Sequence, residues 1–422
     1  MKQKSPWWWI PTLYFGQGIP YVVVMSISVI MYKKMGISNT DIALYTSWLY
    51  LPWVIKPLWS PFVDMFKTKR FWIVVLQLII GAALAAVAFT IPLPNYFQLT
   101  LAVFWLMAFS SATHDIAADG FYMLALEEHQ QAAFVGVRST FYRIAMITGQ
   151  GILVVLAGTL EESTGSIPTA WSITFFILAG IFIALFIYHK FILPYPASDK
   201  ATLSNTTASD VLKEFLNTFA TFFKRKEIGV MLAFLLLYRF AEAQLVKLVT
   251  PFLLDPRTSG GLGLSTQEVG IVYGTVGVIS LTLGGLLGGY VISRQGLKYW
   301  LWKMVLIIHL PDVMFVYLSQ VQPENFYLIN IAVAIEQFGY GFGFTAYMLY
   351  MILISEGEHK TAHYAICTGF MALGMMLPGM FSGWLEDQIG YQHFFLWVMA
   401  STIPGFLVAA LVKIPAEFGK KK

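Results

Sequence analysis

The stretch Ala112-Thr113-His114-Asp115-Ile116-Ala117-Ala118-Asp119-Gly120 sets two carboxylates and an imidazole inside a long apolar run. Successive residues of a helix turn by about 100°, so Asp115 and Asp119 share one face, one turn apart, while His114 points away from Asp115. A charge at mid-bilayer costs roughly 2.5 to 3.5 kcal/mol on insertion scales. The pair therefore needs a water-filled cavity, bound protons or basic partners, and each of these belongs to a protein that moves solutes. Two carboxylates this close can hold a proton between them, which makes Asp115 and Asp119 candidates for proton coupling. The competing reading is structural, with Lys56 or Arg143 neutralising the acids.

Other charges fall inside apolar runs. Lys56 follows Trp53-Val54-Ile55, too far from a span end for its ammonium to reach water easily, and so calls for an acid. Arg143 has the two-pronged geometry for a substrate carboxylate or phosphate, and equally for pairing with Asp119. Arg138, nearer a span end, reads as an interface anchor. Further on, Arg239 and Glu242 are spaced for a local ion pair, with Lys247 two turns beyond Arg239 on an overlapping face, an arrangement suited to an anionic solute. Glu336 begins a strip continued by Tyr340, Phe344, Tyr347 and Tyr350 and interleaved with Gly339, Gly341 and Gly343. Such a strip serves sugar rings or ordinary helix packing. Gln17 lies within Gly16-Gln17-Gly18-Ile19-Pro20, where the glycines and the proline either expose backbone to a ligand or let a neighbouring helix approach. Asp312 and His309 flank Pro311 with no role assigned. The candidate binding set is thus Gln17, Lys56, Arg143, Arg239, Glu242, Glu336 and Tyr340.

The elements that carry these residues follow from composition. The chain is 57% hydrophobic and only 12% charged, far from a soluble balance of about 25% charged. Apolar stretches predict an all-α membrane protein with twelve spans at 7–32, 41–62, 71–91, 97–125, 136–160, 168–193, 228–254, 266–292, 300–320, 325–355, 360–384 and 391–413. The opening Trp7-Trp8-Trp9-Ile10 lacks a cleavable-signal pattern, so the first span is expected to stay. Cys367, the single cysteine, reads as a helix-packing residue. Most of the 27 Lys and Arg fall in loops on the side of both termini, against Lys33, Lys34 and Arg257 opposite, which predicts cytoplasmic termini. The net charge of +4 is thereby a matter of topology, and no nucleic-acid partner is expected. No phosphate-cradling loop, metal-spaced Cys and His cluster or nucleophile elbow occurs, so neither enzymatic activity nor a cofactor is expected.

The polar stretch from Pro194 to Lys226 divides the chain into a six-helix half at 1–193, a cytoplasmic linker at 194–226 and a second half at 227–422. A repeat supports the division, because Glu128-His129 recurs as Glu358-His359 and Gly149 as Gly379, each 230 residues on. At that offset Asp115, Asp119 and Arg143 meet Thr345, Leu349 and Leu373, so the charges are not repeated. Two parallel halves of this kind match the major facilitator architecture.

Two loops strengthen that match. Ser60-x-x-x-Asp64-Met65-Phe66-Lys67-Thr68-Lys69-Arg70 and Gly289-x-x-x-Ser293-Arg294-Gln295-Gly296-Leu297-Lys298 each resemble, in degraded form, the major facilitator signature of Gly-x-x-x-Asp followed by basic residues. An acid and bases at helix ends can hold neighbouring helix termini in one state and release them in another, so Asp64, Lys69, Arg70 and Arg294 are expected to gate. More narrowly, Lys56-Pro57-Leu58-Trp59-Ser60-Pro61 with Asp64, Ala112-Thr113-His114-Asp115, Tyr142-Arg143, Leu237-Tyr238-Arg239 with Glu242, Glu336-Gln337-Phe338-Gly339 and Gly383-Trp384 resemble the AmpG-like muropeptide permease family. Departures include His114 where bacterial members often carry Gln and Arg239 where they carry Lys. The resemblance implies a proton-driven importer of anhydromuropeptides, GlcNAc-anhydroMurNAc with or without peptide, monomeric in the bacterial inner membrane. The alternatives are another oligosaccharide, an acyl-coenzyme A-like solute, or export of lipophilic compounds.

Overall fold

A computed structural model describes residues 5–200, 208–357 and 360–420, all of whose regular elements are helices. Glu358 and His359 of the repeat lie outside the described residues, as do the side chains of Asp64 and Glu128.

Among the described residues, ten helices are long and apolar enough to cross a membrane: Pro6–Lys34, Lys69–Thr90, Tyr96–Ala125, His129–Thr164, Ile167–Ile192, Ile228–Leu254, Thr266–Gln295, Leu297–Val321, Phe326–Ser355 and Lys360–Leu411. The last is two crossings, because Gly390, at φ 71°, turns the chain in a conformation that an L side chain resists. Span two completes the twelve. It is assembled from Asn39–Trp48 and Leu51–Phe66, interrupted at Leu49-Tyr50. Polar residues start the helices where the sequence offers them: Ser38, Thr68, Ser166, Ser265 and Asn325 each accept a hydrogen bond from a first-turn amide that would otherwise lack a partner. The repeat is visible in the backbone. Spans four and ten, Tyr96–Ala125 and Phe326–Ser355, are both 30 residues long, and the same 230-residue offset separates their starts and their ends.

The chain forms two compact units, Met1–Ser28 with Ile55–Asn217 and Val29–Val54 with Thr218–Lys422. The far end of span one and the first part of span two thus belong to the second unit. The change of unit follows a widened helical turn at Val23–Ile27. The segment read as a linker contains an amphipathic helix, Ala208–Phe223. From it Phe222 packs into the second unit's core with Phe234, Tyr238, Ile308 and Tyr347. The first unit's core gathers Trp9, Leu13, Tyr14, Ile73, Ala118 and Phe121.

Helix contact inside a bilayer gains nothing from apolar burial alone and depends on close backbone approach. The second unit achieves this through glycine. A Cβ on Gly284 of span eight would collide with the Phe338 carbonyl of span ten, and one on Gly341 with the Leu281 carbonyl of span eight. On the other side of span ten, a Cβ on Gly343 would stand 2.6 Å from the Met304 carbonyl oxygen of span nine. Span ten is thereby wedged between its neighbours, and its glycines are packing residues. Gly341→Leu should destabilise the purified protein by roughly 1 to 3 kcal/mol or more. Thermal melting in detergent checks this, with Gly289→Ala, where the added carbon meets nothing within 4 Å, expected to melt like the parent.

Candidate functional site

In the first unit the span-four acids have basic neighbours. Lys56 Nζ stands 3.9 Å from Asp115 Oδ2. Arg138 Nη2 stands 2.9 Å from Asp119 Oδ1, and the Tyr14 hydroxyl donates to the same oxygen at 3.4 Å. Arg138 also lies over the rings of Tyr14 and Tyr122, at 4.6 and 5.5 Å. It is therefore part of the polar site, not the interface anchor that its nearness to a span end suggested; one side chain on span five reaches span four and covers span one. The two acids remain accessible, with 15% of the Asp115 side chain and 39% of the Asp119 side chain exposed. Of the three ways to tolerate a carboxylate in an apolar span, these use basic partners and access to water.

His114 takes another direction, as its helical position requires. Its ring contacts the Gln77 amide at 3.2 Å, Gln77 Oε1 meets His189 Nδ1 at 2.9 Å, and His189 Nε2 meets the Thr12 hydroxyl at 2.9 Å. This buried chain ties spans one, three, four and six together. Gln17 is also buried, and its Oε1 has no hydrogen-bond partner among the described residues. A Cβ on Gly18 beside it would stand 2.7 Å from Ala145 Cβ, so that glycine serves the approach of span five. Arg143 is half-buried on span five.

The second unit holds the more demanding charges. Glu242 on span seven, Asp312 on span nine and Glu336 on span ten are all buried, and one carboxylate oxygen from each lies within 4.8 Å of the others. Both oxygens of Glu242, both of Asp312 and Oε1 of Glu336 lack a hydrogen-bond partner among the described residues, whereas Glu336 Oε2 accepts from the Gln337 amide at 3.0 Å. Two unit charges about 5 Å apart repel by roughly 3 kcal/mol even at an effective dielectric of 20.

Arg239 does not form the expected local ion pair with Glu242. Span seven breaks at Tyr238-Arg239 into Ile228–Leu237 and Phe240–Leu254, and Arg239 itself is non-helical at φ −109° and ψ 22°. The regular spacing that would have brought the pair together is lost. The guanidinium instead donates to the Tyr340 hydroxyl and lies 4.5 Å over the Phe344 ring. The aromatic strip of span ten is divided accordingly. Tyr340 and Phe344 receive a cation, while Tyr347 and Tyr350 are core, stacked around Phe234, with the Tyr347 hydroxyl bonded to the Leu235 carbonyl at 2.6 Å.

Lys247, 5% exposed, donates to Thr46 Oγ1 at 2.8 Å and lies 5.4 Å over the Tyr50 ring, with no carboxylate at ion-pair distance among the described residues. The 230-residue offset carries Gln17 onto Lys247, so the two candidates occupy equivalent positions of the repeat. Another polar group was not among the candidates that the sequence offered. Lys33 pairs with Asp255 at 2.7 Å and donates to Asn39 at 2.7 Å; Asn39 donates to Glu386 at 2.7 Å; Tyr391 donates to Asp255 at 2.7 Å. These residues lie in loops and at span ends that carry no motif. A Cβ on Gly383 would collide with the Asn39 carbonyl, so the group is held by close backbone contact as well.

The gating candidates are placed differently from one another. The backbone amides of Lys69 and Arg70, at the start of span three, both bond Asp199, at 2.7 and 3.0 Å, a carboxylate on a helix N-terminus. Arg70 donates to the Lys190 and Leu193 carbonyls and stacks 3.8 Å over Tyr195, closing the end of span six. Lys69 runs across Gly120, next to Asp119. Arg294 lies 5.4 Å over Tyr290 at the end of span eight. The Asp64 side chain is outside the described residues.

The family model described as Major Facilitator Superfamily matches residues 12–355. The anhydromuropeptide permease of Escherichia coli K12 is 24% identical over 411 residues, covering 96% of this chain and 79% of its own. A protein of Rickettsia conorii named AmpG 4 is 26% identical over 407 residues, covering 93% and 92%. Among solved structures, the nucleoside transporter NupG aligns with a TM-score of 0.70 at 17% identity, covering 96% of this chain and 98% of its own. A D-xylose-proton symporter aligns at 0.72 and 12%, covering 98% of each chain. These two likenesses concern the fold. With twelve crossings and a family model matched over most of its length, the chain is a multi-pass membrane transporter and belongs to the Major Facilitator Superfamily.

Proposed function

We propose that the protein is a proton-coupled importer of a sugar-containing, anionic solute, an anhydromuropeptide being the best candidate, working by alternating access in a bacterial inner membrane as a monomer with both termini in the cytoplasm. The observation that carries this reading is the similarity to an anhydromuropeptide permease along almost the entire chain. The chemistry of the spans supports it. Muropeptides join sugar rings to carboxylates, and the spans offer aromatic faces at Tyr340 and Phe344, a buried cation at Lys247 without an acid partner among the described residues, and guanidinium groups at Arg143 and Arg239.

In this reading Gln17, Lys56, Arg143, Arg239, Glu242, Glu336 and Tyr340 line the solute's path, and Asp115 and Asp119 couple it to protons. Protonation of Asp119 would release Arg138, and protonation of Asp115 would release Lys56, so each acid can exchange a basic partner for a proton. One charge moving inward through 100 mV supplies about 2.3 kcal/mol, enough for roughly fortyfold accumulation. Asp64, Lys69, Arg70 and Arg294 would serve as the gate, whereas the group around Lys33, Asn39, Asp255, Glu386 and Tyr391 ties span ends together within the second unit.

Proteoliposomes under an imposed pH gradient, offered anhydromuropeptides, simple disaccharides and acyl-coenzyme A compounds in turn, should accumulate the anhydromuropeptides alone. Uptake of another class would replace the substrate, and counterflow restricted to lipophilic compounds would replace import by export. Asp119→Asn should abolish uphill accumulation while melting like the parent; undiminished uphill uptake by this variant would remove Asp119 from coupling. Lys247→Gln should raise KM for anionic solutes about tenfold to a hundredfold, the worth of one charge-assisted hydrogen bond. Equal affinity of this variant and the parent in binding titrations would exclude Lys247 from anion recognition.

A further inference from the structure

We infer that Glu242, Asp312 and Glu336 form a proton-binding site of the second unit, a carboxylate triad that holds protons in one state of the transport cycle and gives them up in another. The inference rests on the proton-driven reading above and adds a site distinct from the span-four acids.

Geometry comes first. The three carboxylates come from three different spans, are buried to 0%, 1% and 1% exposure, and bring one oxygen each within 4.8 Å of the others. Five of their six oxygens have no hydrogen-bond partner among the described residues. Ionised carboxylates in an apolar span take partners, as Asp115 and Asp119 do; here like charges would face one another across three helices. Protons remove the conflict, since a carboxylic acid donates to a neighbouring carboxylate.

Arg239 is an independent pointer. It is 6% exposed, it is an electrostatic neighbour of Glu242, and its Nε has no partner among the described residues. One guanidinium cannot balance three carboxylates, yet its positive charge beside the cluster opposes a metal cation there. Divalent calcium or magnesium would draw about six oxygen ligands around itself, so the three carboxylates would have to bind bidentately or be joined by water, and competition by these ions is a test of the proton assignment. Among the described residues, Tyr273 of span eight is an electrostatic neighbour of Glu336 and Glu242, Tyr340 holds Arg239, and His309 is buried beside Tyr238 three residues before Asp312. The triad has no counterpart in the first unit, where the 230-residue offset gives Thr12, Ala82 and Leu106. Loss of the protons would set like charges on spans seven, nine and ten at one level. That is a local force able to bias how those spans pack.

Infrared difference spectra of the purified protein in liposomes, recorded without any solute between neutral and alkaline pH, test the site independently of the substrate. A carboxylic acid carbonyl band that shifts in deuterium oxide and disappears at alkaline pH is expected. Glu242→Gln, Asp312→Asn and Glu336→Gln should each remove or move it and lower proton release in a pH jump by about one per protein, whereas Glu162→Gln at an exposed position should not. Asp312→Glu keeps the carboxyl and should move the band without erasing it, which separates loss of the site from loss of the fold. Absence of the band, indifference to all three substitutions, or its removal by sodium, calcium or magnesium at fixed pH would overturn the proposal. Failure of muropeptide transport with the band intact would count against the proposed function alone.

Discussion

A carboxylate inside an apolar helix must be neutralised, and the polar architecture of this transporter is organised by how each unit meets that requirement. The first unit uses basic partners with access to water: Lys56 for Asp115 and Arg138 with Tyr14 for Asp119. The second buries Glu242, Asp312 and Glu336 together beside the Arg239 guanidinium. The two solutions behave differently under a change of charge. An accessible ion pair exchanges its partner for a proton or a solute at modest cost, whereas a buried cluster changes the forces between three spans at once.

Close helix packing makes the second solution possible. Gly284, Gly341 and Gly343 let span ten lie against spans eight and nine at backbone contact, which fixes Glu336 relative to Asp312. The break in span seven at Tyr238-Arg239 then sends the guanidinium to Tyr340 and Phe344 instead of along the helix to Glu242. Rigid glycine contacts on one side and an interrupted helix on the other leave the carboxylates without the pairing that regular geometry would provide. Lys247 is the converse case, a buried cation satisfied by a threonine and a tyrosine ring.

Much of this was legible in the sequence. Twelve apolar runs, the 230-residue repeat and the superfamily loops pointed to the fold, because span length is set by the bilayer and helix-starting residues are local. The pairing of Lys56 with an acid followed from a cation that could not reach a span end. By contrast, Arg138 looked like an interface anchor because its distance from a span end is visible in the sequence and its neighbour across the bundle is not. Asp312 carried no motif. Nothing in the order of residues says that spans seven, nine and ten meet at that level.

The sequence by itself therefore determined what is local or periodic: which segments cross the membrane, where their helices start, how the two halves repeat and which apolar runs carry charge. Tertiary structure alone decided which charges meet. Long-range contacts depend on helix packing, and packing here is governed by glycines whose partners are carbonyl groups of other spans, as Gly284 with Phe338 and Gly341 with Leu281. The span-four aspartates announce themselves in the sequence because they stand four residues apart on one helix. The second unit's three acids come from separate spans, and only the folded chain brings their oxygens within 4.8 Å.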